Sequence, residues 1–498
     1  MKSNMQLMPA GLILAFLGLM FGAILFFPSM GLNPALAGLV VIGLAIAAPL
    51  IAHPRYLFWF YFVWVFVLRC SQVIFPLSRY GDELLIMLWC VVLLGMLAFK
   101  QTVVKDSSFA KLFGGLILIS LISWLVNGSN TKKMIIFSLS YLFPLVTFFL
   151  ARNFLNKDRD LAVFVRVVIG IFFLQLVLNI GWVLRINPIP NRWLYTHDFA
   201  IGSFNSQTYV AYFCCFILFT LIGVFIHYKS SKVRFGSSVL FALVFIQLVM
   251  TFTLHAYLFL VLGVVLYVVL FSGKKAWVIV PSGLLAIFIG GLLLLSLSES
   301  FISESGATQK VREELRLDNL VYRYNKMILG PKGQCYADAF YHAPSESPVR
   351  WIVGAGPGDF ISTVAMYQTP HSALTMRYLG RYFLTFSGEQ DRAGHSITQI
   401  VVSSPPVLMG ELGLGGLLFY SALCVWIIGV VLKNIYTHRY SNRLQIVLAK
   451  GFVSSFGILF VISLLMDLLN VDFFIILFAT LGALLVDPIG RDEIQQEV

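Results

Sequence analysis

The chain reads as an all-α polytopic membrane protein of about fourteen transmembrane helices with a large, partly helical cap on one side. Three observations predict this. Of its 498 residues 59% are hydrophobic and only 12% charged, with a mean hydropathy of +0.87, a balance that a water-soluble domain of this size could not keep dispersed. Apolar runs of about 20 residues, the length that crosses a bilayer core, recur along most of the sequence. Lys and Arg fall in every second short connection between them, which is the pattern that fixes orientation.

Taken in order, the runs lie near 8–28, 33–51, 56–76, 83–99, 112–127, 134–151, 161–184, 207–227, 236–254, 257–272, 277–296, 406–432, 450–466 and 470–486. The first, Met8 to Phe27, is longer than the core of a cleaved signal and is expected to stay as a helix. Lys2, Arg55, Lys100 to Lys111, Arg152 to Arg159, Lys229 to Arg234, Lys274 and Lys275, and Lys433 to Lys450 all fall on one side, which the positive-inside rule makes cytoplasmic. Both termini join them there. Only Lys132 and Lys133, beside the turn at 127–134, run against the pattern. The weakest boundaries are the break near His255 and the short turn around Asp467, Asn470 and Asp472.

This topology divides the chain into membrane helices 1–11 over 1–297, with a short outer loop at 185–207, then a cap over 298–404, then helices 12–14 and a cytoplasmic tail over 405–498. Most of the net charge of +12 is accounted for by the cytoplasmic loops, so no clustered basic face points to nucleic acid. The cap is near neutral and rich in Tyr, Phe and Trp, as a folded unit would be. Helices are predicted within it at Leu315 to Leu329 and, amphipathic, at Ala365 to Phe386. Five of the six cysteines lie in apolar runs and Cys335 alone lies in the cap, which argues against a disulfide framework. No sequence spacing suggests a bound metal or other cofactor.

The chemistry-bearing residues gather on the outer side. In AGHSITQIVVSSPPVLMGELG, Ser404 can cap a helix whose first positions are Pro405 and Pro406. Glu411 then sits about 10 Å along it, where an ionisable group is either functional or an interfacial carboxylate held by a neighbour. His395 precedes this helix and is the first candidate for a general base; His371 in TPHSAL is a rival. The loop RINPIPNRWLYTHDFAIGSFNSQ sets Arg185 and Arg192 beside Trp193, Tyr195 and His197. Arginine forks suit phosphate oxygens and aromatic faces suit sugar rings, although an interfacial aromatic belt explains the Trp and Tyr equally well. Arg323 lies on the first cap helix, and WIVGAGPGDF, Trp351 to Phe360, is a glycine-rich turn. Such a turn can offer N–H groups to an anion. Without a GK[ST] ending it is no P-loop, and a simple turn accounts for GAGPG taken alone.

In order, GSFNSQTYVA, Arg323, GAGPGDF, GHS and ELGLGG resemble the bacterial O-antigen ligase and Wzy-type polysaccharide polymerase superfamily, over about Arg185 to Gly416. The resemblance implies a GT-C-like helical fold in the bacterial inner membrane with the large loop periplasmic. It implies transfer of a glycan from undecaprenyl diphosphate to a sugar hydroxyl, with no nucleotide and no metal. His395 would be the base, Glu411 would orient or replace it, and Arg185, Arg192 and Arg323 would hold the diphosphate. Partners would be lipid-linked glycan donor and acceptor, membrane lipids, and a chain-length regulator or export machinery. The enlarged cap favours a polymerase over a ligase acting on lipid A core. A transporter and a non-catalytic assembly subunit are the readings of other classes. A transporter is expected to carry its ionisable residues near mid-membrane on broken helices.

Overall fold

The computed structural model describes residues 54–67, 107–183, 204, 207–251, 253–271, 335–360, 404–440, 442–464 and 472–487. These are helical, with no strand among them: α1 (Pro54–Val67), α2 (Ser107–Asn127), α3 (Thr131–Phe137), α4 (Phe143–Phe154), α5 (Lys157–Val183), α6 (Gln207–His227), α7 (Ser231–Met250), α8 (Leu254–Phe271), the short α9 (Ala343–Glu346) and α10 (Pro348–Val353), then α11 (Ser404–Tyr436), α12 (Arg443–Ile462) and α13 (Asp472–Val486). Six of them are long and apolar enough to cross a membrane, seven if the bent pair around Phe143 is one span. The expected runs at 8–28, 33–51, 83–99 and 277–296, and both predicted cap helices, lie outside the described residues.

Three of the expected helices differ from their sequence reading. The run at 134–151 is not continuous: α3 passes into a π-helical turn at Ser138–Leu142, and the segments Thr131–Leu142 and Pro144–Phe154 meet at 52°. Pro144 is the cause, because it lacks an N–H for the carbonyl of Ser140 and its ring crowds that carbonyl. The last-but-one span begins at Arg443 and not at 450, because Asn442 caps it by accepting from Leu444 N at 2.9 Å. That brings Lys450 inside a helix. The span at 406–432 contains a break at Gly413, described below.

Aromatic side chains fill the centre. Phe62 stacks on Phe66, which meets Phe204 and Phe213, while Phe109 stacks on Phe148 at 4.0 Å between ring centroids. Where α6 and α12 cross, the helices approach closely, since a Cβ on Gly451 would stand 2.8 Å from the Thr220 hydroxyl and 3.1 Å from the Thr220 Cα. Small residues admit this close approach in membranes, where dispersion and not water exclusion drives helix association.

The polar contacts sort into two ends, as alternating helices require. At one end Tyr436 donates to Leu270 O at 3.0 Å, Asn434 to Val486 O at 2.7 Å and Tyr440 to Leu485 O at 2.6 Å. Each satisfies a terminal carbonyl that a helix leaves open. At the same end Asp160, 0% exposed, accepts from Arg55 Nε at 2.8 Å, Trp59 Nε1 at 2.9 Å and Asn156 N at 2.7 Å. Asp160→Ala should lower stability by about 3–5 kcal/mol, since it strands the Arg55 guanidinium and two further donors. A thermal midpoint in detergent unchanged from wild type would contradict this.

Candidate functional site

The other end of the bundle is organised by two glycines with the same backbone. α10 starts at Pro348, closes its last turn with Gly354 N donating to Arg350 O at 2.9 Å, and stops at Gly354, φ 72°, ψ −164°. α11 starts at Ser404 with Pro405 and Pro406 in its first turn and breaks at Gly413, φ 69°, ψ −168°. Only glycine occupies this region without strain. The two stops face one another: a Cβ on Gly354 would stand 2.4 Å from the Glu411 carbonyl carbon, and one on Gly413 2.4 Å from that of Ile352.

The contact is backbone on backbone, and the hydrogen bonds explain why. A break at Gly413 takes the carbonyls of Gly410 and Glu411 out of line with the N–H groups four residues on, and both residues are buried, where an unpaired carbonyl is costly. Ala355 N donates to Gly410 O at 2.7 Å and Gly356 N to Glu411 O at 3.1 Å, with Ser123 Oγ on α2 adding a bond to Glu411 O at 3.0 Å. Asn127 Nδ2 bridges Ser123 O at 2.8 Å and Gly354 O at 3.3 Å. The ring of Phe360 lies over Gly410, filling the space a side chain there would need.

Gly356 to Asp359 then form a type II turn, with Pro357 at its second position, Gly358 at φ 79° in its third, and Asp359 N donating to Gly356 O at 3.0 Å. That same N–H also donates to Glu411 Oε2 at 2.9 Å. Glu411 is 0% exposed, and its carboxylate thereby fixes the turn. Asp359 forms an ion pair with Lys133 of α3, whose side chain is 7% exposed. The Ser129 hydroxyl lies beneath Gly356, where a Cβ would overlap it.

Of the residues expected from sequence, Glu411 is the one the described residues contain; His395, His371, Arg185, Arg192 and Arg323 lie outside them. Glu411 falls where its register predicted, two turns into a helix, but that helix ends directly after it. The anion-binding reading of the glycine turn needs correcting in part, because the Ala355 and Gly356 N–H groups are spent on carbonyls. Lys133, Asp359, Ser123 and Asn127 were not anticipated. The signal for Lys133 was present in its departure from the basic-loop pattern, and Asp359 stood inside the quoted glycine motif. Among the described residues no group of His, Cys, Asp and Glu has the makings of a metal site.

The chain matches no family model. No curated protein sequence matches it.

With one buried carboxylate, one part-buried carboxylate and a buried lysine tied to a glycine turn, the site can hold a charged group in fixed register at the end of the bundle.

Proposed function

We propose that this protein is a membrane glycosyltransferase that polymerises polyprenyl-diphosphate-linked oligosaccharide units at the outer face of a bacterial inner membrane. One observation carries the reading. GAGPGDF and ELGLGG, which stand some fifty residues apart and each resembled the same superfamily, meet in a single unit through the Ala355, Gly356 and Asp359 N–H groups. On this reading the chain has about fourteen spans, a periplasmic cap, and no metal or nucleotide requirement.

His395 removes the proton of the acceptor hydroxyl. The hydroxyl oxygen attacks the anomeric carbon of the donor, the bond from that carbon to the diphosphate oxygen breaks, and the electron pair leaves with undecaprenyl diphosphate. Arg185, Arg192 and Arg323 stabilise the charge that builds on the leaving group. Glu411 acts by holding the glycine turn, and Lys133 secures the same turn through Asp359.

A transporter is the second reading, and the break beside Glu411 favours it, because ionisable residues at interrupted helices mark many transport sites. Depth argues against it. Leu414 to Tyr436 alone is about 34 Å long, enough to cross a bilayer, and Glu411 is level with Ser123, one turn from the end of α2. This places it at the mouth of the bundle, away from its middle.

The test is to incubate the purified protein in nanodiscs with an undecaprenyl-diphosphate-linked repeat unit and no nucleotide, and to resolve products by gel beside His395→Ala, Arg323→Ala and Glu411→Gln. The expected result is a ladder lost in the first two and reduced at least tenfold in the third. Transfer only when lipid A core is added would mean a ligase. An unconsumed substrate in both tests would abandon the enzymatic reading for transport or assembly.

A further inference from the structure

At the end of the bundle away from the glycine turn, two cations and an imidazole converge without a counter-charge. Lys450 Nζ lies 2.9 Å from His227 Nε2 and 5.4 Å from the centroid of Phe271, and Arg443 is within electrostatic reach of the same imidazole. Among the described residues no carboxylate pairs with Lys450, His227 or Arg443.

The position makes this costly. Lys450 follows Arg443 by seven residues, about 10 Å along α12, and its neighbour Gly451 packs on Thr220, well inside the apolar part of α6. Its side chain therefore runs back along the seam between α6 and α12 to reach His227 at the helix end, as long cationic side chains do at a membrane edge. One ammonium hydrogen engages the imidazole and the ring of Phe271 covers another side, which leaves donor capacity on Lys450, on the other ring nitrogen of His227 and on the Arg443 fork. The Tyr267 hydroxyl, in the same seam near Gly223 and Val447, is buried and has no hydrogen-bond partner among the described residues.

Exposed apolar side chains flank the cluster. Ile226 precedes His227, and Val269 on α8, 71% exposed, stands two residues before Phe271. Donors that lack acceptors, set at the end of apolar helices and bordered by apolar surface, match an oxyanion attached to hydrocarbon chains. We propose that Lys450, His227 and Arg443 form a binding site for the phosphate of an anionic phospholipid headgroup, seated between α6, α8 and α12. Basic pockets between membrane helices bind such headgroups by this chemistry. The site stands apart from the glycan reading and does not depend on it.

The experiment is a thermal unfolding titration of the purified full chain in neutral detergent with phosphatidylglycerol, phosphatidylcholine or inorganic phosphate. Phosphatidylglycerol should raise the midpoint by about 5 °C and saturate, while the other two should not. Lys450→Met and Arg443→Gln should each at least halve the rise, and Lys229→Gln with Lys232→Gln, exposed charges at the same end, should leave it intact. Arg443 is itself exposed, so its variant reports even if Lys450→Met does not fold. An equal rise with phosphatidylcholine, an equal rise with inorganic phosphate, or a rise undiminished in Arg443→Gln would each overturn the proposal.

Discussion

Gly413→Ala is expected to abolish recovery of folded protein. The added Cβ would lie 2.4 Å from the carbonyl carbon and oxygen of Ile352 and 2.6 Å from Gly354 N. All three are backbone atoms held by the bonds from Ala355 and Gly356, so none can swing aside. The backbone at φ 69°, ψ −168° adds about 1–3 kcal/mol of strain for any residue with a side chain. The clash with three fixed backbone atoms comes on top of that strain, which puts the change among the exceptional single substitutions. Gly429→Ala in the same helix is the control: none of the described residues stands within 4 Å of its Cβ, and alanine has the better helix propensity. Size-exclusion elution in detergent would separate the two outcomes, and a monodisperse Gly413→Ala peak at wild-type yield would refute the account of the joint.

Lys133→Met should be the most damaging change to a charged residue at the glycine-turn end. It removes the cation from a part-buried carboxylate that faces Glu411 across a single N–H, at a cost that approaches the roughly 3–5 kcal/mol of breaking a fully buried pair. Asp359→Asn keeps that N–H and so keeps the turn. The double variant Lys133→Met with Asp359→Asn should therefore be more stable than Lys133→Met alone. A double-mutant cycle on unfolding midpoints reads this directly, and strict additivity would show that the two side chains do not act together.

Much of the helical framework was legible because a bilayer imposes one length and one composition on each span. What the sequence concealed were departures with local causes. The bend at Phe143 and Pro144 was readable from the proline, had it been weighed against the apolar run that surrounds it. The early start of α12 depended on Asn442, a cap that hydropathy ignores. The break at Gly413 was the hardest to see: ELGLGG reads as a continuous helix until a partner loop supplies the N–H groups that make a break tolerable, and that loop lies more than fifty residues earlier. Glu411 could be singled out as an ionisable group in apolar surroundings, whereas its partner could not, since an Asp359 N–H is invisible to any side-chain motif. Lys133 was legible only as an anomaly of charge, and its pairing with Asp359 resolves it.

The joint between the two glycine stops also sets an order of assembly. Its hydrogen bonds span 288 residues from Ser123 to Glu411 and more than fifty from Ala355 to Gly410, separations at which loop closure is slow and entropically costly. As the chain emerges, α2 and the segment of the glycine turn are made before α11 exists, and through that interval Ser123, Ala355 and Gly356 have no carbonyl of α11 to meet. The unit that carries Glu411 is thus among the last parts of the molecule to form, and a nascent chain halted before Ser404 would hold only the helices that precede α11.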